Sequence, residues 1–202
     1  MSDRDALGAL LTEIRACRLC VAHLPDGPRP VIQAALSSRL LIVGQAPGRK
    51  VHASGIPFDD ASGNRLRGWL GIDRETFYDA QRVAIVGMGL CFPGSSRGGD
   101  LPPRPECART WHPRIMPMLR QVQLTLAIGQ YAQAGLLGAR CGATLTDTVS
   151  AWREHLANGV LPLPHPSPRN QAWLKRNPWF ESDLLPILRR EVAGALEARA
   201  NG

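Results

Sequence analysis

The sequence has no long apolar run, almost no lysine and few aromatic residues. No uninterrupted apolar stretch approaches the ~18 residues that a membrane-spanning helix requires, so we expect no membrane contact. The opening residues MSDRDALGAL lack the basic head and apolar core of a signal peptide. We therefore expect a cytoplasmic protein, and the length of 202 residues fits a single domain over 1–202.

Lysine occurs only at positions 50 and 175, so arginine supplies nearly all of the 24 cationic residues. With 17 acidic residues, the formal net charge is +7. A basic balance favours a polyanionic partner such as nucleic acid. An alternative stays open, because a GC-rich genome also enriches a sequence in arginine, alanine, glycine and proline.

Two phosphate-binding patterns are absent, GxxxxGK[ST] and GxGxxG. The glycine-rich segment LLIVGQAPG (40–48) instead places Gly44 and Gly48 where backbone N–H groups approach a ligand. These absences argue against a small-molecule enzyme that holds a nucleotide phosphate in this loop.

Short apolar runs alternate with helical patterns along the chain. Strands are predicted at 39–44, 83–89, 124–129 and 159–164, and helices at 3–16, 62–71, 106–120, 130–138, 146–157 and about 182–199. This alternation predicts βαβ units and an α/β fold with a largely parallel sheet. Polar, glycine-rich loops follow all four strands, so we expect the four loops to meet at one site beyond the carboxyl ends of the strands.

Two of these loops hold residues of particular interest. In LPLPHPSPRN (161–170), four prolines stiffen the chain around His165, which is either incidental to a turn or part of a preorganised site. Phe58 ends GIPF in a polar loop, where it either packs in the core or stacks on a flat ring.

The sequence contains five cysteines, although we expect the protein not to be secreted. Cys17 and Cys20 form C-x2-C, Cys91 and Cys107 follow at a distance, and Cys141 is set apart as a buried thiol. A disulfide framework is disfavoured in a reducing compartment. An iron–sulfur cluster, a structural zinc or unligated thiols remain open.

Three motifs in order, LLIVGQAPG, GIPF with a glycine five residues on, and HPSP, resemble the uracil-DNA glycosylase superfamily. The pattern is most similar to its iron–sulfur family, often called family 4, which has GE-x-PG, GxPF and H-P-[SA]. The fragment HPSPRN also resembles the second motif of the single-strand-selective monofunctional uracil glycosylases. The likeness runs from about Cys17 to Pro178 and implies a three-layer αβα fold around a central, mainly parallel four-stranded sheet.

The resemblance implies a DNA repair enzyme that flips uracil out of DNA and hydrolyses its N-glycosidic bond, leaving an abasic site. No lysine in the motif loops suits Schiff-base chemistry, so we expect a monofunctional enzyme, acting as a monomer. Two alternatives remain open. One is a protein that binds damaged or abasic DNA with little or no turnover, and the other is a glycosylase for another deaminated base.

The resemblance also implies roles for the loop residues. His165 would donate a hydrogen bond to the base carbonyl as the base becomes anionic, and Phe58 would stack on the base. Gln45 and the backbone of Gly44 and Ala46 would line the pocket and position the water.

The second motif and the cysteines complete the implied site. Ser167, Arg169 and Asn170 would contact DNA, with Arg169 where this loop enters the duplex. A structural [4Fe–4S] cluster is implied on four ligands, with zinc or no metal as the alternatives: Cys17, Cys20, Cys91 and Cys107.

The chain departs from the family patterns at the water-activating positions. Ala46 stands where family 1 has the aspartate of GQDPY, and Gln45, which cannot act as a base, stands where family 4 has glutamate. His52 aligns without a gap to an acidic residue of family 4 and is our candidate to activate water, with Asp59 and Asp60 as alternatives.

A further departure concerns the base. Family 4 reads uracil with an asparagine four residues before its third cysteine, and Gly87 stands there in this chain. We keep Gly87 as a predicted substrate-binding position, and uracil as the expected base.

Overall fold

The computed structural model describes residues 2–197. Its strands, in chain order, are β1 Leu40–Val43, β2 Val83–Ile85, β3 Ser95–Ser96, β4 Gly99–Asp100, β5 Leu124–Ile128 and β6 Val160–Leu163. A central sheet has the order β2-β1-β5-β6, and its three strand pairs are all parallel. The strands β3 and β4 form a separate antiparallel hairpin, which the sequence patterns did not predict.

Helices surround the sheet. The α-helices are α1 Asp3–Arg15, α2 Arg49–Ser54, α3 Ala61–Leu70, α4 Arg74–Tyr78, α5 Pro105–Ile115, α6 Gly129–Leu137, α7 Leu145–Ser150, α8 Trp152–Leu156, α9 Gln171–Arg176 and α10 Leu185–Glu197. Short 3₁₀ turns occur at Val21–His23, Met116–Met118, Gly138–Arg140 and Pro168–Asn170, and a π-helical turn at Phe180–Leu184. Within the described residues, no helix is both long enough and apolar enough to cross a membrane.

Alternate residues of β1 point into two hydrophobic layers. Leu40 and Ile42 pack in the cluster that contains the buried faces of α3 and α10, while Leu41 and Val43 pack in the cluster of α1 and α5. Because both faces of the sheet are covered, its strands are continuous apolar runs rather than alternating ones. The predicted three-layer α/β fold with a parallel four-stranded sheet is confirmed.

The predicted boundaries needed several corrections. The strand predicted at 83–89 ends at Ile85, although the N–H groups of Val86 and Met88 still bond to the chain of β1 and its loop. The helix predicted at 106–120 stops at Ile115, because Pro117 has no N–H with which to continue it.

Other helix predictions also shifted. The one at 146–157 divides at Ala151 into α7 and α8, and α10 begins at Leu185, while residues 198–199 of its predicted span lie outside the described residues. The short helices α2, α4 and α9 were not predicted, since five or six residues show little periodicity.

Candidate active site

A cavity of about 280 Å³ opens at the carboxyl ends of the sheet strands. The loops after β1, β2 and β6 line it, together with the α2–α3 loop and the β3–β4 hairpin. The loop after β5 does not, contrary to the expectation of four converging loops, because α6 begins directly at Gly129. The cavity brings together eight of the predicted residues: Gly44, Gln45, Ala46, Phe58, Gly87, His165, Ser167 and Arg169.

The imidazole of His165 is held as a neutral hydrogen-bond donor. The Ser167 N–H donates to its Nδ1 atom over 3.2 Å, which leaves the ring proton on Nε2. Burial lowers the pKa of His165 below its ordinary value, while the carboxylates of Asp60 and Asp100 oppose that shift. The Asn170 side-chain amide donates to the His165 carbonyl oxygen at 2.7 Å. Asn170 thus positions His165 without lining the cavity itself.

Phe58 has a left-handed backbone, with φ of 54°, and is the one non-glycine residue with positive φ among the described residues. Such a conformation costs about 1–3 kcal/mol and persists only where its surroundings enforce it. The Tyr78 hydroxyl donates to the Phe58 carbonyl at 3.3 Å. A Cβ at Gly63 would lie 1.7 Å from that same oxygen, so this close approach requires glycine. The strained backbone thus belongs to a residue that lines the cavity.

The Phe58 ring lies between the core and the cavity. It packs edge-on against Phe77 with ring centroids 6.1 Å apart, and it belongs to the margin of the core cluster. It also lines the cavity, where its tip lies close to Gly44. Phe58 thus packs against the core and also lines the cavity, and its stacking on a ligand stays a prediction.

No side chain fits at position 87. A Cβ on Gly87 would lie 2.4 Å from the Gly89 carbonyl oxygen, and Gly89 is held in turn by its N–H bond to the Gln45 carbonyl. His112 of α5, which sequence reasoning missed, lies with Nε2 3.0 Å from the Gly87 carbonyl. A carbonyl only accepts, so Nε2 is the donor, and burial lowers the pKa of this histidine and keeps it neutral. The loop backbone at this edge of the cavity is thus fixed.

The β3–β4 hairpin is tied to the cavity at two points. Gln45 donates from Nε2 to the Leu101 carbonyl at 3.2 Å, and the Arg169 guanidinium donates to the Gly98 carbonyl at 3.2 Å. Arg169, predicted to enter the duplex, therefore reaches across to the hairpin. The hairpin also brings Asp100 to the cavity. Sequence reasoning missed Asp100, although the polar segment GGDLPP after a strand was a signal for it.

Hydrogen bonds brace the loop between Ser167 and Arg169. The Ser167 hydroxyl accepts from the Arg169 N–H at 3.2 Å, and the Ser167 carbonyl accepts from the Arg65 guanidinium at 3.2 Å. These bonds add to the constraint that the sequence predicts from the prolines of this loop.

His52 is not brought to the cavity. It lies in α2 with its ring centroid 5.9 Å from that of Phe92, and its carbonyl oxygen accepts from Arg29. Its Nδ1 atom is buried without a hydrogen-bond partner in the part of the chain that the structure describes. The position of His52 therefore gives no support to its predicted part in water activation.

The four predicted cysteine ligands surround a second, small cavity of about 20 Å³: Cys17, Cys20, Cys91 and Cys107. The Leu90 backbone N–H donates to the Cys107 sulfur over 3.3 Å. Gly89 forms part of the wall of both cavities.

The chemistry of these thiols fits a metal centre that displaces protons. Burial raises the pKa of Cys91 to about 11 and that of Cys107 to about 12, so metal binding would release protons. Hydrogen bonds to sulfur are also a feature of iron–sulfur sites. Among residues 2–197, no three His, Cys, Asp or Glu side chains converge closely enough to hold a single ion.

The main cavity combines an aromatic wall, a neutral N–H donor and fixed backbone groups. A cavity at the carboxyl edge of a parallel sheet is the usual position of a ligand-binding site in an α/β protein. The sequence model of the family described as the uracil DNA glycosylase superfamily matches residues 32–189. The chain belongs to that superfamily, and this membership supports DNA glycosylase activity on a DNA substrate. Cys17 and Cys20 precede the matched residues.

Proposed function

We propose that this protein is a monofunctional DNA glycosylase that flips uracil out of DNA and hydrolyses its N-glycosidic bond, leaving an abasic site. The observation that carries the proposal is the neutral imidazole of His165, a residue that lines the cavity. Its Nδ1 atom accepts the Ser167 N–H, so the ring proton is on Nε2 and is available for donation. The motif order of the iron–sulfur family and the HPSPRN fragment support uracil as the base.

Glycosidic cleavage leaves an oxocarbenium-like sugar and an anionic base. The His165 Nε2–H stabilises the negative charge that develops on the base carbonyl oxygen, while the Phe58 ring stacks on the base. Because loop hydrogen bonds fix the donor beforehand, no rearrangement is needed during the reaction. Losing one such donor costs about 3 kcal/mol of barrier, which is about 100-fold in rate.

The cavity lining supports a monofunctional reaction. It contains no lysine amine in the described residues, so no Schiff base to the sugar forms and the strand is not cut by β-elimination. Water is the nucleophile in the proposed reaction.

Base selectivity would depend on the backbone. Family 4 recognises uracil with an asparagine side chain at this position. This chain has Gly87 there, and even a Cβ has no room. Another deaminated base is the second candidate substrate, since no side chain at this position selects uracil.

The four cysteines would hold a structural [4Fe–4S] cluster, with zinc as the alternative. Their common cavity and the Leu90 N–H that donates to the Cys107 sulfur support this assignment. Absorbance near ~400 nm with bound iron and sulfide would support it, while a colourless protein that contains zinc would replace it.

One assay tests the activity. The protein is incubated with uracil- and hypoxanthine-containing oligonucleotides, single-stranded and paired, and abasic sites are then cleaved with alkali. We expect product from uracil, and about a 100-fold loss in His165→Ala with affinity for an abasic analogue retained. Retained abasic binding with no product from any base would identify a binding protein instead.

A further inference from the structure

Two carboxylates line the cavity, in a site whose first motif has lost its acidic residue. They are Asp60 and Asp100, and they are the acidic residues of its lining in the described chain. The Asp60 Oδ1 atom accepts the Gly63 N–H at 2.9 Å and caps α3. This carboxylate therefore holds the first turn of the helix that also supports Phe58.

The Asp100 carboxylate is held differently. Its Oδ1 atom accepts from the Ser95 hydroxyl at 2.7 Å, across the hairpin. Its Oδ2 atom lies beside the first motif, 3.2 Å from where a Cβ of Gly48 would stand. Within residues 2–197 this second oxygen has no hydrogen-bond donor. Asp100 is an exposed residue of the cavity lining.

We propose that Asp100 is the general base that activates the attacking water, supplying from the hairpin the carboxylate that Gln45 and Ala46 do not provide. This inference rests on the proposed glycosylase function. It assigns to Asp100 the role for which His52 was the candidate from sequence.

Gln45 helps to hold Asp100 in place. Its amide N–H fixes the Leu101 carbonyl, next in the chain to Asp100. A glutamate at position 45, as in family 4, would have no N–H for this bond and would add a negative charge beside Asp100. Gln45 is thus a positioning residue, and the glutamine and the hairpin aspartate work as a pair.

In the proposed step, the bond from the sugar C1′ to the base nitrogen breaks and its electron pair leaves with the base. The Nε2–H of His165 stabilises the resulting anion. The water oxygen forms a bond to C1′, and its proton passes to Oδ2 of Asp100 and then to solvent. The base takes a proton from solvent. The other charged groups that line the cavity are Asp60 and Arg169, and Arg169 is engaged by the hairpin.

The test compares isosteric variants in single-turnover excision. Asp100→Asn keeps an oxygen for the Ser95 hydroxyl but loses the base, so we expect a rate loss of about 100-fold or more with affinity for abasic DNA retained. Asp183→Asn is the matched control, because Asp183 also accepts from a serine hydroxyl, at 2.6 Å, and lies outside the cavity. Asp60→Asn tests Asp60 as the alternative general base, because asparagine still caps α3.

Chemical rescue separates catalysis from structure. Added formate should restore part of the rate of Asp100→Ala, because a small carboxylate fills the place of the missing base, and should not restore His165→Ala. An Asp100→Asn rate within threefold of wild type, or a larger loss in Asp60→Asn, overturns the inference. A wild-type protein that excises no base overturns the proposed function instead.

Discussion

Gly63 and Gly68 lie in the same helix, and alanine at the two positions should have opposite effects. At Gly63 a Cβ would stand 1.7 Å from the Phe58 carbonyl oxygen, less than half of an ordinary contact distance. At Gly68 nothing lies within 4 Å of the added atom. Both substitutions gain helix propensity of about 1 kcal/mol, so the difference between them isolates the close approach to Phe58.

In Gly63→Ala, α3 or Phe58 must move by more than about 1 Å to restore a normal contact distance between the new Cβ and the Phe58 carbonyl oxygen. Overpacking of this kind costs about 1–3 kcal/mol or more, which exceeds the propensity gain. For a chain of this length 1 kcal/mol corresponds to about 2–4 °C in Tm. We expect Gly63→Ala to lower Tm by several degrees and Gly68→Ala to raise it by about 2–4 °C.

The assay pairs thermal unfolding with excision, because the two readouts report different things. Displacing Phe58 should reduce excision by Gly63→Ala even at temperatures where the variant is fully folded, while Gly68→Ala should keep the wild-type rate. If Gly63→Ala proved as stable and as active as Gly68→Ala, the view that Gly63 enforces the strained backbone of Phe58 would have to be abandoned.

Three further predictions concern the base, the pH dependence and the loop. Gly87→Asn should destabilise the protein without increasing selectivity for uracil over hypoxanthine, because its Cβ would overlap the Gly89 carbonyl. A variant that melts no lower than wild type and excises uracil more selectively would contradict this prediction. Excision should persist as the pH falls below 6.5 and should decline only when the pH reaches the lowered pKa of His165, because the neutral imidazole is the form that donates to the base. An NMR titration that placed the pKa of His165 above 6.5 would contradict this prediction. Asn170→Ala should slow single-turnover excision severalfold, from the loss of about 1 kcal/mol of hydrogen bonding, with abasic affinity unchanged; an unaltered rate would remove its positioning role.

The core of the fold could be predicted because buried parallel strands leave a plain signal. The runs around Leu41, Ala84, Leu126 and Leu161 are apolar on both faces, and each coincides with a strand. The hairpin at 95–100 left no such signal, because its four strand residues are serine, glycine and aspartate, which favour turns.

The candidate site was predictable where one loop carries both the residue and its support. His165 has prolines on both sides and its Nδ1 partner two residues away, so its sequence context described its environment. Asp100 and His112 reach the cavity edge through tertiary contacts with loops that are distant in sequence. His52 shows the reverse case, since it is close to the first motif in sequence but is not among the residues that line the cavity.

Gly89 lines both cavities, so its backbone is part of the wall that they share. A change on one side would therefore be felt on the other with little material in between. The reactivity of the cysteine thiols, or the optical spectrum of a bound cluster, would then report whether a base occupies the neighbouring cavity, with no label on the DNA.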